Sequence, residues 1–158
     1  MKKTQARDTG NIQRGQPIPH GYLESAPLAL HFLTAAAFES AVRQHGAHIL
    51  GAAVFGKTQD SLQDYGLPLV DVTVPVIGGE TVFEVWSSQQ AVRRVVHSGI
   101  RAQYTDEVLF GCLEIEAAKT MQAMSYAAYT RLFDFLDESG FPHLWRIWHY
   151  LPDINGWD

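Results

Sequence analysis

A chain of 158 residues with 46% apolar and 18% charged residues suits one domain with a single sizeable core. Its formal net charge of −5 argues against a general nucleic-acid binder, which needs a basic face to displace counterions from phosphates, so no nucleic-acid partner is expected. One cysteine, Cys112, excludes an intramolecular disulfide and points to a reducing cytoplasm, and the most apolar window, Pro27 to Phe38, is too short to span a bilayer, so no membrane association is expected.

Residues 1–19 are polar, with four basic residues and one acid, Asp8. So short a charged run is usually solvated, and the stretch reads as a flexible N-terminal tail. No apolar stretch follows the basic residues, as a secretory signal requires. A single domain is expected over residues 20–158. HGYLES and PLALHFLTA look like early strands, or one strand and a turn. HILGAAVFGK, His48 to Lys57, is a short glycine-bounded apolar run and reads as a buried strand. In LPLVDVTVPVIGGETVFEVWSS, Val70, Val72, Val74 and Val76 alternate with Asp71, Thr73 and Pro75. Gly78-Gly79 then supply a tight turn, and Thr81 to Trp86 run back as the second arm of a hairpin. Pro75 lacks an N–H and puts this strand at an edge or a bulge.

A second hairpin is expected in SGIRAQYTDEVLFGCLEI. Its arms are Gly99–Gln103 and Val108–Ile115, with Thr105-Asp106 near the turn. The period then switches. Met121, Met124, Ala128, Leu132, Phe135 and Leu136 form one helical stripe, Gly140 supplies the C′ position and Pro142 prevents continuation. A last strand is expected from His143 to Leu151. Strands, one long helix and a closing strand imply an α+β fold, an antiparallel sheet with one long helix packed on one face. On that last strand Trp145, Ile147, His149 and Leu151 would share one face, and Leu144, Arg146, Trp148 and Tyr150 the other.

An arginine between large rings is costly to bury unpaired. Two readings of Arg146 follow. It is a carboxylate clamp, its planar fork matching two oxygens while Trp148 and Tyr150 wall the pocket. Or it is a cation–π stack holding a surface together, which composition alone favours because such contacts are common. His45 and His48 form H-x-x-H, but no third ligand follows at a zinc-like spacing, so no metal is expected. His149 reads as a hydrogen-bonded structural residue, and Cys112 as a small buried hydrophobe. Glu114 and Glu116 precede the helix, where acids favour the dipole. No nucleophile elbow and no phosphate loop occurs.

The segments VFEVWSSQQAV, SGIRAQYTDEVLFGCLEI and YTRLFDFLDESGFPHLWRIWHYLPDIN, in this order, resemble the N-terminal half of the chorismatases. These are the chorismate-hydrolysing or 3-hydroxybenzoate-forming enzymes once labelled pteridine-dependent deoxygenases. The matching pieces are Glu84-Val85-Trp86, Leu109-Phe110-Gly111, Tyr129 to Phe133, and above all Arg146-x-Trp148-x-Tyr150 with Ile154-Asn155. Coverage runs from about Leu50 to Asn155. The resemblance implies the chorismate-mutase-like fold shared with YjgF/RidA proteins, trimeric packing, and no metal or organic cofactor. It also implies that the strand of Arg146 helps to hold the carboxylates of a chorismate-like diacid, with Trp148 and Tyr150 as the walls of that substrate-binding site. Two departures accompany it. The family's W-N-Y triplet is Trp148-His149-Tyr150 here. A chorismatase also continues into a second YjgF-like domain with the general acid, whereas this sequence stops at Asp158, so the catalytic C-terminal half is expected to be absent.

The expected function is thus a YjgF-like domain binding a small aromatic or cyclohexadienyl carboxylate, of the chorismate or hydroxybenzoate class, at a boundary of a homotrimer. Two alternatives stand beside it. One is a small RidA-like or reduced chorismatase enzyme with a subunit-interface site, its acid drawn from Glu84, Glu114 or His149. The other is a non-catalytic partner that docks another protein through the edge from Val70 to Trp86.

Overall fold

The computed structural model describes residues 27–56, 65–72, 79–115 and 120–150. The expected tail, HGYLES, residues 73–78 of the first expected hairpin, Glu116, Leu151 and Ile154-Asn155 lie outside the described residues.

PLALHFLTA gives strand β1, Leu28–Thr34, which runs straight into helix α1, Ala35–His45. The junction is set by Thr34, whose side-chain oxygen accepts from the Ala37 amide at 3.4 Å and caps the helix. A single 3-10 turn, Gly46–His48, leads to β2, Ile49–Phe55, and then come β3, Leu69–Val72, and β4, Val82–Ser88. These strands form one sheet in the order β1-β4-β2-β3. Helix α1 covers one face, burying Phe38 and Ala41 against Leu33, Ile49, Ala52, Val54, Phe83 and Val85. The Phe38 and Phe83 rings stack there at 4.3 Å.

The first expected hairpin is corrected by this sheet. Its two arms, β3 and β4, are not neighbours, because β2 lies between them, parallel to β3 and antiparallel to β4. The reason is the composition of β2. Ile49 to Val54 are all buried, and a strand apolar on both faces belongs in the interior of a sheet with a neighbour on each side. Alternation and a Gly-Gly dipeptide report only local geometry and are silent on that competition. Strand β3 does lie at an edge, whereas β4 is internal, so the proposed docking edge cannot extend to Trp86.

The second hairpin forms as expected. Strands β5, Arg93–His97, β6, Ile100–Tyr104, and β7, Leu109–Leu113, make an antiparallel sheet in that order. The β6–β7 turn closes with a 2.8 Å bond from the Thr105 amide to the Val108 carbonyl. Strand β5 has a mostly exposed pattern that hides it from a hydrophobicity reading. It joins β6 through Ser98-Gly99, whose φ values of 51° and 80° are those of a two-residue hairpin turn.

Helix α2, Met121–Ser139, is the expected long helix. Thr120 caps it by accepting from the Ala123 amide at 3.1 Å, and Gly140 ends it at φ 76°. Phe135 is its buried anchor, packed with Ile100 and Ala102 and flanked by Val95, Leu109 and Leu113. The fold is α+β, with α2 on one face of an antiparallel sheet as expected; the division of the strands into two sheets, one with a parallel pair, and helix α1 were not expected. Among the described residues no helix is long and apolar enough to cross a membrane.

The expected last strand is not formed. Residues 141–150 have no ladder partner. The rings of this segment dock singly on different elements instead. Phe141 meets Tyr104 at 5.9 Å, Trp148 meets Trp86 at 5.7 Å and Tyr150 meets Phe55 at 6.1 Å. Single ring contacts take the place of backbone pairing, and most of the segment stays exposed, so the two-face alternation expected around Arg146 has no sheet to refer to.

Candidate functional site

The site rises from β4. Residues opposite one another in a ladder share a face, so Trp86 lies beside Leu30 and Gly51, and Glu84 beside Phe32 and Ala53. This is the face turned away from α1, whose core takes Phe83 and Val85 from the same strand. Glu84 and Trp86 are two apart, and the Trp86 indole N–H donates to Glu84 Oε1 at 3.2 Å.

The extended segment then brings Arg146, Trp148 and Tyr150 to this face. Trp148 sits on Trp86, and the Arg146 guanidinium carbon lies 5.3 Å from the Trp148 ring centre. Arg146 is exposed. Tyr150 docks on Phe55 at the end of β2. Burial pushes its phenol above the ordinary range, and the negative charge of Glu84 pushes it further the same way. A basic head, an indole platform, a phenol and a carboxylate are therefore contiguous. Arg146 and Glu84 form no ion pair with one another or with another charged residue among the described residues.

The other candidates lie elsewhere. His149 shares a 2.9 Å hydrogen bond with the Tyr129 hydroxyl of α2, consistent with its structural reading. Glu114 is held by Arg101 in an ion pair and not by a helix start. Cys112 is buried; burial pushes its thiol up, and Arg101 opposes that only in part, so the thiol is a core residue and no nucleophile. His45 and His48 gain no further ligands: among the described residues no three His, Cys, Asp or Glu side chains are grouped to hold a metal. A cleft of about 280 Å³ opens between α2 and the three-stranded sheet, lined by Val95, His97, Tyr104, Leu109, Phe135 and Phe141, and the Arg146 group stands outside it.

Trp86 and Phe55 were not among the expected site residues. Their signal in the sequence was slight: Glu84 and Trp86 alternate on one strand, and Phe55 ends an apolar run.

Residues 84–158 match the family model described as chorismatase FkbO/Hyg5-like, N-terminal. A chorismatase of Streptomyces hygroscopicus is 33% identical over 100 residues, 63% of this chain and 29% of the relative. A chorismatase of Streptomyces rapamycinicus is 30% identical over 100 residues, 63% of this chain and 30% of the relative. A 3-hydroxybenzoate synthase of Streptomyces hygroscopicus is 24% identical over 111 residues, 70% of this chain and 33% of the relative. The chain thus spans about a third of the length of the curated relatives it matches. The family match begins at Glu84 and takes in Trp86, Arg146, Trp148 and Tyr150, and over this stretch the chain is similar to the N-terminal domain of the chorismatases.

Proposed function

We propose that this chain binds a small aromatic or cyclohexadienyl carboxylate, of the chorismate or hydroxybenzoate class, with Arg146 as the clamp and Trp148 and Tyr150 as walls. The carrying observation is an exposed guanidinium over an indole with no carboxylate partner among the described residues. Stacking and clamping use different parts of the group. The guanidinium carbon lies over the Trp148 ring, and a cation–π contact uses none of the N–H fork that fits two carboxylate oxygens. The two readings of Arg146 are therefore compatible. Trp86 meets the Trp148 ring at 5.7 Å and a 58° tilt, and so adds a second aromatic wall. A homotrimer, with a neighbouring subunit completing the site, is part of this proposal.

Calorimetric titration of the 158-residue chain with chorismate, 3-hydroxybenzoate and 4-hydroxybenzoate tests it. Arg146→Ala is expected to weaken binding about 10- to 100-fold, the value of a charged hydrogen-bonded pair. Arg146→Lys recovers only part, because an ammonium lacks the fork. No binding by the wild type, or equal binding by Arg146→Ala, overturns the proposal.

One observation favours a second reading, a reduced chorismatase. Of the three candidate acids, Glu84 is the one beside the clamp's aromatic platform and near Tyr150. Loss of chorismate absorbance on incubation with the chain, abolished in Glu84→Ala, would support turnover; a stable chorismate spectrum removes it.

A further inference from the structure

We infer that Tyr129 of α2, through its hydrogen bond to His149, is the positioning residue of the Arg146 site: it fixes the segment that carries the guanidinium, and its hydroxyl sets how tightly a carboxylate is held there. The inference rests on the proposed clamp at Arg146 and adds what holds that clamp in place.

Residues 141–150 have no ladder partner, so no strand fixes the height or the rotation of Arg146. Among the described residues, no hydrogen bond, ion pair or ring contact ties residues 142–147 to another element. The span is held at its two ends. Phe141 meets Tyr104 at one end. At the other the contacts alternate: Trp148 reaches Trp86 on β4, His149 reaches Tyr129 on α2, and Tyr150 reaches Phe55 on β2. His149 thus faces away from its two ring neighbours, and the segment bridges α2 and the four-stranded sheet.

The three contacts at that end differ in kind. The Trp148 and Tyr150 rings meet their partners at 5.7 and 6.1 Å, tilted by 58° and 71°. Such contacts keep most of their attraction while a ring slides or turns, because they are broad and weakly directional. The Tyr129 hydroxyl lies 2.9 Å from His149 Nε2, and a hydrogen bond at that distance loses strength steeply with a change in angle. It is the directional anchor of the three. Tyr129 is itself held on a capped helix, stacked with Phe133 at 5.8 Å and 24°, and its ring also lies 5.7 Å from the His149 ring. His149 adjoins Trp148, over whose ring the Arg146 guanidinium lies, so a turn of residue 149 is passed to the clamp.

The test removes one oxygen. Tyr129→Phe keeps the ring and loses the hydroxyl; His149→Phe breaks the same bond from the other side and keeps a ring. Each is titrated with chorismate and 3-hydroxybenzoate, and hydrogen–deuterium exchange is followed over residues 143–150. Both variants are expected to bind about 3- to 10-fold more weakly than the wild type, the value of one ordinary hydrogen bond, with faster exchange in the segment and an unchanged urea midpoint. In an Arg146→Ala background Tyr129→Phe is expected to change affinity less than about twofold, because the hydroxyl acts through the guanidinium. A loss as large in that background as in the wild type overturns the inference, as does wild-type affinity with wild-type exchange in either variant. A wild type that binds neither carboxylate overturns the clamp and with it the claim on affinity; faster exchange in Tyr129→Phe then still supports the fixing of the segment, and unchanged exchange overturns that too.

Discussion

His31 shows how one side chain turns burial into a pH dependence. It lies on β1 on the α1 side of the sheet, opposite Val85, with its Nε2 atom 3.1 Å from Ser87 Oγ. Burial holds its imidazole below the ordinary value of 6.5. In the unfolded chain the ring takes up a proton near that value, while in the folded chain it stays neutral to lower pH. The unfolded state therefore binds more protons through this window, and stability falls as the pH drops from 6.5 until the folded ring titrates too. His31→Gln keeps a polar partner for Ser87 and does not titrate. Urea midpoints measured from pH 7 to pH 5 are expected to fall less steeply for His31→Gln than for the wild type, and identical slopes would contradict this origin. The sequence made some single residues plain and others not. Cys112, a lone thiol between Gly111 and Leu113, was readable as core because a free thiol is among the most buried side chains, and it is buried here. Glu84 could be named only as one of three candidate acids, since Phe32, Ala53 and Tyr150 reach it from three separate segments.

Among the elements, β2 is the one whose placement other strands depend on. Its register against β4 shifts between Ile49 and Gly51, a bulge that places Leu50 outside the ladder. At Gly51 an added Cβ would collide with the Phe110 ring and would lie 2.8 Å from the Pro68 carbonyl oxygen. The missing side chain thus leaves room for the Phe110 ring of β7 against the four-stranded sheet. Nearby, the buried Gln103 amide, oriented to donate, reaches the Ile49 and Leu50 carbonyls and ties the two sheets across the bulge. Gly51→Ala is expected to cost about 1–3 kcal/mol, because the Phe110 ring can turn but a backbone carbonyl cannot easily retreat. Chemical denaturation reads this directly, and an unchanged midpoint would show that the seam is slack. The elements legible in sequence were those with a strong local pattern: β2 by its apolar run, β6–β7 by alternation about a turn, α2 by its stripe and its Gly140 stop. Those misread depended on distant choices. The arms of the first hairpin were parted by β2, and the residues from Phe141 to Tyr150 look like a strand but find no edge to join.

At the scale of the whole molecule, the aromatic surface exceeds what one binding site explains. Trp145 is 83% exposed, Tyr126 76% and Phe133 50%, and Leu30 and Phe32 stand out from edge strand β1. Tyr126, Tyr129 and Phe133 follow one another at three- and four-residue steps along α2, so they form a stripe separate from the buried Phe135. Tyr129 and Phe133 stack at 5.8 Å, and Tyr129 holds His149, so this stripe continues into the segment that carries Arg146. Contiguous apolar surface of this kind marks an interface, and a symmetric assembly is the simplest way for one chain to cover it. The chain is therefore expected to sediment as a homo-oligomer, a trimer in the proposed reading, at micromolar concentration. The double substitution Tyr126→Glu and Phe133→Glu places like charges at that contact without touching Phe135 or the sheet. It is expected to shift sedimentation to the monomer with the far-ultraviolet circular dichroism unchanged. If ligand binding falls with assembly while Arg146 is intact, a neighbouring subunit contributes to the site; if binding persists in the monomer, the Glu84–Trp86–Trp148–Arg146 surface is sufficient alone. A wild-type chain that sediments as a monomer removes self-association, and a partner of different sequence becomes the better occupant of the stripe.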